Sequence, residues 1–237
     1  MKTELSAIAF KATSHPKHRF QNLYRQLDTE HLYQSWGQLN KRAAAGIDGI
    51  SIPEYQSHLP ENIKRLAEEL RGKQYRSSDI KRVFIPKTNG KQRPLGLPTV
   101  DDKIVQQSVS QILQSIWEQD FLRNSYGYRP NKSAHQAVLS LGLNLQYKGY
   151  GYIVEADIKG FFDNMNHDWL IRMLKQRIDD KALLSLIKQW LKARVKTADG
   201  KVTKPDSGTP QGGLCKASHK PPYAKKVIMQ SNLVNSL

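Results

Sequence analysis

The 237-residue chain is 38% hydrophobic and carries 37 Lys and Arg against 21 Asp and Glu, a formal net charge of +16. That is enough apolar material for one large packed lobe or two small ones. No apolar run reaches the roughly 18 to 20 residues of a membrane span, the N-terminus has no secretory-signal pattern, and the single Cys215 leaves no internal disulfide or multi-Cys zinc site, so a soluble, cytoplasmic protein with no membrane partner is expected.

In chain order, Phe20, Leu23, Tyr24 and Leu27, then Trp36 and Leu39, recur at helical spacing and predict one or two amphipathic helices. "AAAGIDGIS" (43–51) breaks the pattern. Ser51 to Glu54 has the form of a capping box, with Ile50 and Tyr55 as its staple, so a helix is expected from about Pro53 to Leu70. Pro60 falls inside it and is expected to kink or split it.

"DIKRVFIPKTNGKQRPLGLP" (79–98) reads as a hairpin with Asn89-Gly90 as turn and a basic tip. Helices follow at about 101–118, where Ile104, Val105, Val109, Ile112, Leu113 and Ile116 share a face, and at 134–146 after a Ser133 to Gln136 capping box. A strand is expected at 151–157, helices near 167–177 and 180–193, a second hairpin around "ADGK" (198–201) and a loop at "SGTPQGG" (207–213). After Gly213 the chain has four Lys, no acid and no clear periodicity.

The charge favours a polyanion, with nucleic acid the leading class; ribosomal-type and membrane-surface proteins share such charge. Asp157 ends an otherwise apolar strand, where an unpaired buried carboxylate is costly. It reads either as a cap on the next turn or as a magnesium ligand, since hard divalent ions take carboxylate oxygens. Asp163, Asn164 or Asn166 suits the cap of the helix beginning near Asp168. Phe161 and Phe162 read as core, or as a wall beside a nucleotide sugar. Lys87 and Arg93 flank the Asn-Gly turn as a solvated basic tip or as a clamp on a triphosphate. The "GTPQGG" loop is a tight turn or a place where backbone approaches a base pair, with Gln211 its one long polar side chain. In "SYGYRPNKSAHQA" (125–137), Tyr126 and Tyr128 either pack inward or join Arg129 and Lys132 in holding single-stranded nucleic acid.

Taken together and in order, "AAAGIDGIS", "RVFIPKTNGKQRPLGLPTVDDKIVQQSV", "NSYGYRPNKSAHQAV", "YIVEADIKGFFDNMNHDWL" and "GTPQGG" resemble bacterial group II intron reverse transcriptases (intron-encoded maturases), from about residue 20 to Gly213. The resemblance implies an α+β right-hand polymerase fold. Residues 1–70 would be a helical, RNA-binding N-terminal extension holding "GIDG", 71–150 the fingers, 151–213 a partial palm and 214–237 a divergent tail whose order is left open. It implies Asp157 as first catalytic aspartate, with the Ile158 backbone carbonyl as a further metal ligand, and Phe162 as steric gate against a ribose 2′-hydroxyl. Lys87 and Arg93 would contact the incoming dNTP, and Gln211 would lie by the nascent base pair. Cofactor and partners follow: Mg²⁺, template or intron RNA, and a DNA primer.

The family's Tyr-Ala-Asp-Asp motif is not found in the 237 residues. Asp101-Asp102 and Asp179-Asp180 stand outside its expected place after Gln211. The expectation is therefore a chain truncated after the "GTPQGG" block and inactive alone, as a frameshifted product or one part of a protein completed by a second chain that supplies the missing palm. The alternative is a non-catalytic fragment that binds intron RNA.

Overall fold

The computed structural model describes residues 2–86, 90, 92–147, 150, 152, 154–156, 158, 161, 164–197 and 199–209, without side-chain detail at residues 2, 3 and 93. Mixed helix and sheet is observed, in keeping with the α+β expectation. The helices are α1 (Lys2–Ser14), α2 (Thr29–Gln38), α3 (Ile52–Ser57), α4 (Leu59–Arg71), α5 (Val100–Trp117), α6 (Ala134–Tyr147), α7 (His167–Leu174) and α8 (Lys181–Leu191). The strands are β1 (Ile80–Pro86), β2 (Gln92–Leu97), β3 (Val195–Lys196) and β4 (Val202–Thr203), in sheet order β2-β1-β3-β4.

Local chemistry explains the helix boundaries. The capping box forms as expected: Ser51 Oγ accepts from Glu54 N–H while the Glu54 carboxylate accepts from Ser51 N–H. The helix that follows is split at His58 into α3 and α4, and Pro60 sits in the first turn of α4, where its missing N–H costs nothing. In α4, Ile63, Leu66, Ala67 and Leu70 form one buried stripe. The first predicted helical stretch resolves into a 3-10 turn at Leu23–Gln26 and α2, capped by Asp28.

α5 is the centre of the core, with α1 and α2 packed on it. Ile104, Val105, Val109, Ile112, Leu113 and Ile116 are all fully buried, so the face read from periodicity is the core face. One cluster of buried side chains runs from Ala12 through α5 to Leu191. The N-terminal segment and the helices after residue 165 therefore share one interior.

A buried arginine ties these distant segments together. Arg177 is 5% exposed; its guanidinium donates to the carbonyls of Ala12 and Pro16 and pairs with Asp120, while Phe20 forms a parallel bridge with Ile178. Buried guanidinium groups are tolerated only when so occupied.

The hairpin appears with β1 antiparallel to β2, Arg82 opposite Gly96 and Ile85 opposite Arg93. Gly90 has φ +75, a left-handed conformation natural to glycine in a tight turn. β1 also runs parallel to β3 through Ile80 and Val195, and the bidentate Arg194–Asp79 pair, at 2.9 and 3.0 Å, flanks that junction. The second hairpin is β3 with β4.

One expectation is not met. In the stretch 151–157, the described residues Tyr152, Val154, Glu155 and Ala156 lie in no strand, and Tyr152 and Val154 are exposed. A strand needs a neighbour to take its N–H and C=O groups. Among the described residues none is paired with this stretch.

Candidate functional site

Two of the motif blocks meet. The α7 helix starts on Asn166, whose side chain accepts from Trp169 N–H at 3.0 Å, so of the three cap candidates Asn166 takes the role. His167, the first helical residue, is buried, and its Nε2 donates to the Gly208 carbonyl at 2.7 Å. Gly208 N–H in turn donates to the Met165 carbonyl at 2.8 Å. The segment 164–167, from the acidic block into the start of α7, and loop 206–209, which leads into "PQGG", are thus locked together across about forty residues of sequence. A cleft of about 250 Å³ opens beside the junction, lined by Asn166, His167, Asp168, Lys192, Lys204 and Asp206.

Several expected site residues fall outside the described residues: Asp157, Phe162, Lys87 and Gln211. Arg93 is placed through its backbone in β2, opposite Ile85. Ile158 is exposed. Phe161, next to the expected gate, packs partly buried against the main core, which is the inward role open to it in sequence.

The loop after α5 gives its four candidates distinct environments. Arg129 is consumed internally: its Nε and one terminal nitrogen pair with Glu118 and the other donates to the carbonyls of Leu122 and Ser125. It lies over the Phe121 ring at 5.1 Å. These contacts fold the loop around Arg129 and brace it on the end of α5. Lys132 Nζ sits 5.5 Å from the centroid of the half-buried Tyr126 ring. Tyr128 is 62% exposed on a left-handed backbone with φ +58. Arg129 thus anchors the loop, and Tyr128 and Lys132 are its displayed side chains.

The acidic pairs at 101–102 and 179–180 are structural. Asp101 accepts from Tyr55 Oη at 2.6 Å and from Arg65 at 2.7 Å; burial and that carboxylate push the Tyr55 phenol well up. Asp102 is buried and accepts from Tyr75 Oη, Thr99 Oγ1 and Ser78 N–H. Burial pushes its carboxyl up to about 6 despite those donors. Asp180 caps α8 through the N–H groups of Ala182 and Leu183 and also accepts from Tyr24 N–H.

The "AAAGIDG" loop is held tightly. Lys103 Nζ donates to the Ala44 carbonyl, and a Cβ on Gly46 would lie 2.6 to 2.9 Å from the backbone at Pro98 and Thr99. Only glycine fits there.

No group of three or more His, Cys, Asp or Glu able to hold a metal is found among the described residues. The Asp157 carboxylate and Ile158 carbonyl are hard oxygen donors of the type Mg²⁺ takes, but the described residues do not by themselves compose such a site.

Residues 85–218 match the reverse transcriptase (RNA-dependent DNA polymerase) family, over more than half of the chain. The chain belongs to that family. It is 35% identical over 172 residues to protein YkfC of Escherichia coli (strain K12), covering 71% of this chain and 45% of that protein. It is 36% identical over 197 residues to the group II intron-encoded protein LtrA of Lactococcus lactis subsp. cremoris, covering 82% of this chain and 32% of LtrA. Its relatives include group II intron-encoded proteins and intron maturases, and the chain spans less than half the length of either protein just named. A solved partial Cas6-RT-Cas1–Cas2 complex shares the fold, with TM-score 0.51 and 22% identity over 83% of this chain and 33% of that one. Among the described residues no helix is long and apolar enough to cross a membrane.

Proposed function

We propose that this chain supplies the fingers and first part of the palm of a group II intron-type reverse transcriptase. Residues 1–70 would form its RNA-binding extension, 71–150 the fingers and 151–213 the palm segment. The observation that carries the reading is the His167–Gly208–Met165 junction. It supports the view that the acidic block and the "GTPQGG" block are two walls of one site.

In that site the residues divide the labour of nucleotide addition, in which a primer 3′-hydroxyl attacks the α-phosphate of a dNTP opposite template RNA. Lys87, which follows β1 in sequence, and Arg93 of β2 neutralise the triphosphate as point charge and fork. Phe162 excludes a 2′-hydroxyl by bulk, and Gln211 lies against the new base pair. Asp157 and the Ile158 carbonyl would hold Mg²⁺, which when bound neutralises charge on the attacking and leaving oxygens. Asp168 and Asp206 line the cleft at the junction, but both precede Gln211, whereas the Tyr-Ala-Asp-Asp run that the 237 residues do not contain is expected after it.

The experiment is an RNA template annealed to a DNA primer, mixed with the purified chain. Binding that weakens steeply with salt is expected, and double substitution of Lys87 and Arg93 by Ala should reduce photocrosslinking of a reactive dNTP. No primer extension is expected from the chain alone, and addition of the remaining palm as a second polypeptide should restore it. Template-primer binding no tighter than binding to heparin would overturn the reading.

A further inference from the structure

Away from the junction, α8 presents a basic face. Lys181, Ser185, Lys188 and Lys192 recur at spacings of four, three and four, which places them on one side of the helix, and all four are exposed. Among the described residues none of these lysines is in a salt bridge. Beside this face, between α8, the 3-10 turn and the end of α4, lies a cleft of about 220 Å³. Tyr24, Lys73, Tyr75, Arg76, Leu186 and Gln189 line it, and no acidic residue does. The nearest carboxylate in sequence to α8, Asp180, is already taken by three backbone N–H groups.

The rim of the cleft is built in an unusual way. α4 ends with Gln74 N–H donating to the Glu69 carbonyl at 2.8 Å and Lys73 N–H to the Leu70 carbonyl at 2.9 Å. This is the paired-bond helix ending whose left-handed position is normally glycine. Here that position is Lys73, with φ +55, although Gly72 is its neighbour. A lysine is therefore held in a conformation L-residues disfavour. Arg76 is fixed beside it, donating to the carbonyls of Lys73 and Tyr75 at 3.0 and 2.9 Å. Gln189, which lines the cleft, accepts from Ser77 N–H through Oε1, and its amide NH₂ is the group with donor hydrogens.

We propose that this cleft binds one nucleotide unit of a single-stranded nucleic acid. Its phosphate sits on Lys73 and Arg76, its base lies against Tyr24 and Leu186, and Gln189 meets the base edge. The lysines of α8 follow the flanking phosphates. An aromatic and aliphatic floor with cations at the rim is the arrangement that holds single strands, because every base has a stacking face and every unit a phosphate. Lys188 and Lys192 are about 6 Å apart along the helix axis, a reach that successive phosphates span. Lys192 also lines the cleft beside His167, so the lysine row leads from the nucleotide cleft to the junction of the motif blocks.

The test uses the full chain and labelled oligonucleotides of about 12 nucleotides, ribose and deoxyribose of the same sequence, across a salt series. The variant Lys73→Glu/Lys188→Glu is set against Lys11→Glu/Lys64→Glu, which makes the same change in net charge at exposed positions on α1 and α4. The first pair should lose on the order of tenfold or more in affinity and lower the log–log salt slope by about 1.4, while the second leaves the slope unchanged. The sugar that shows the larger loss identifies the natural strand. A third variant, Lys73→Gly, suits the left-handed backbone and should keep or raise Tm while weakening binding. Equal losses in the two charge-reversed pairs would mean a diffuse field and overturn the proposal, as would full affinity in Lys73→Gly. Neither result depends on template-primer binding or nucleotide addition, so the polymerase reading stands or falls separately.

Discussion

α5 and α6 are both long, largely uncharged on their central turns, and introduced by side-chain caps, yet their surroundings are opposite. α5 is buried on nearly every side, including polar residues such as Ser108, which bonds to Ser35 of α2 at 2.7 Å. α6 contains no charged residue and no buried residue, and Val138, Leu139, Leu141 and Leu143 are about half exposed or more. Among the described residues, the more apolar helix is the one left uncovered. Composition therefore does not decide burial; what decides it is whether another element arrives to cover the face. α6 is defined locally, by the reciprocal Ser133–Gln136 capping box and by residues that favour helix. α5 is defined by everything around it.

Cavities in α5 are therefore expensive. Ile112 is fully buried, and Ile112→Ala should cost about 2 to 5 kcal/mol. Denaturant titration gives the value, and a loss below 1 kcal/mol would remove α5 from the centre of the fold. The next effect comes from its first turn, where Asp102 is buried with its carboxyl raised to about 6. Because the folded group holds its proton more tightly than the unfolded one, the associated stability is fully present below about pH 4 and is lost as pH rises through about 6. A rise of roughly two units, at about 1.4 kcal/mol each, corresponds to roughly 3 kcal/mol. Asp102→Asn should flatten unfolding free energy between these pH values, and an unchanged pH profile would assign the slope to another group.

The sequence made local features legible and long-range ones opaque. Both capping boxes, the split near Pro60, the hairpin and the α5 core face follow from patterns within a few residues. Arg177 was invisible because its partners Ala12, Pro16 and Asp120 are 57 to 165 positions away. Arg129 looked like a free cation in an aromatic loop, but Glu118 and two carbonyls surround it. Of the candidate site, the meeting of the acidic block with Gly208 follows from no spacing rule; only the order of motif blocks pointed to it. The expected strand at 151–157 depended on a neighbour, and a pairing partner is not encoded in the stretch itself.

Gly46 tests the cap end of α5. Its missing Cβ admits the backbone of Pro98 and of Thr99, the residue that caps α5 through the Asp102 N–H. Gly46→Ala must push that backbone aside and should cost about 1 to 3 kcal/mol. Because Lys103 also reaches this loop, through the Ala44 carbonyl, the change should loosen both sides of the cap. Faster amide exchange at Asp102 and Lys103 is the local sign. A thermal midpoint equal to the parent's would show that the loop moves freely against α5.

The smallest effect is expected on α6, and it is the sharpest check of the comparison. Leu139 is 64% exposed, and glutamine has nearly the same helix propensity as leucine. Leu139→Gln should therefore change stability by no more than about 0.5 kcal/mol. The same substitution at a buried α5 position such as Leu113 would leave a polar group without partners and unfold the domain far sooner. A loss of about 2 kcal/mol at Leu139 would mean that the face is covered in solution. Concentration dependence then identifies the cover: a thermal midpoint that rises with protein concentration in the parent and not in Leu139→Gln assigns it to a second copy. A midpoint independent of concentration assigns it to the chain's own residues outside those described.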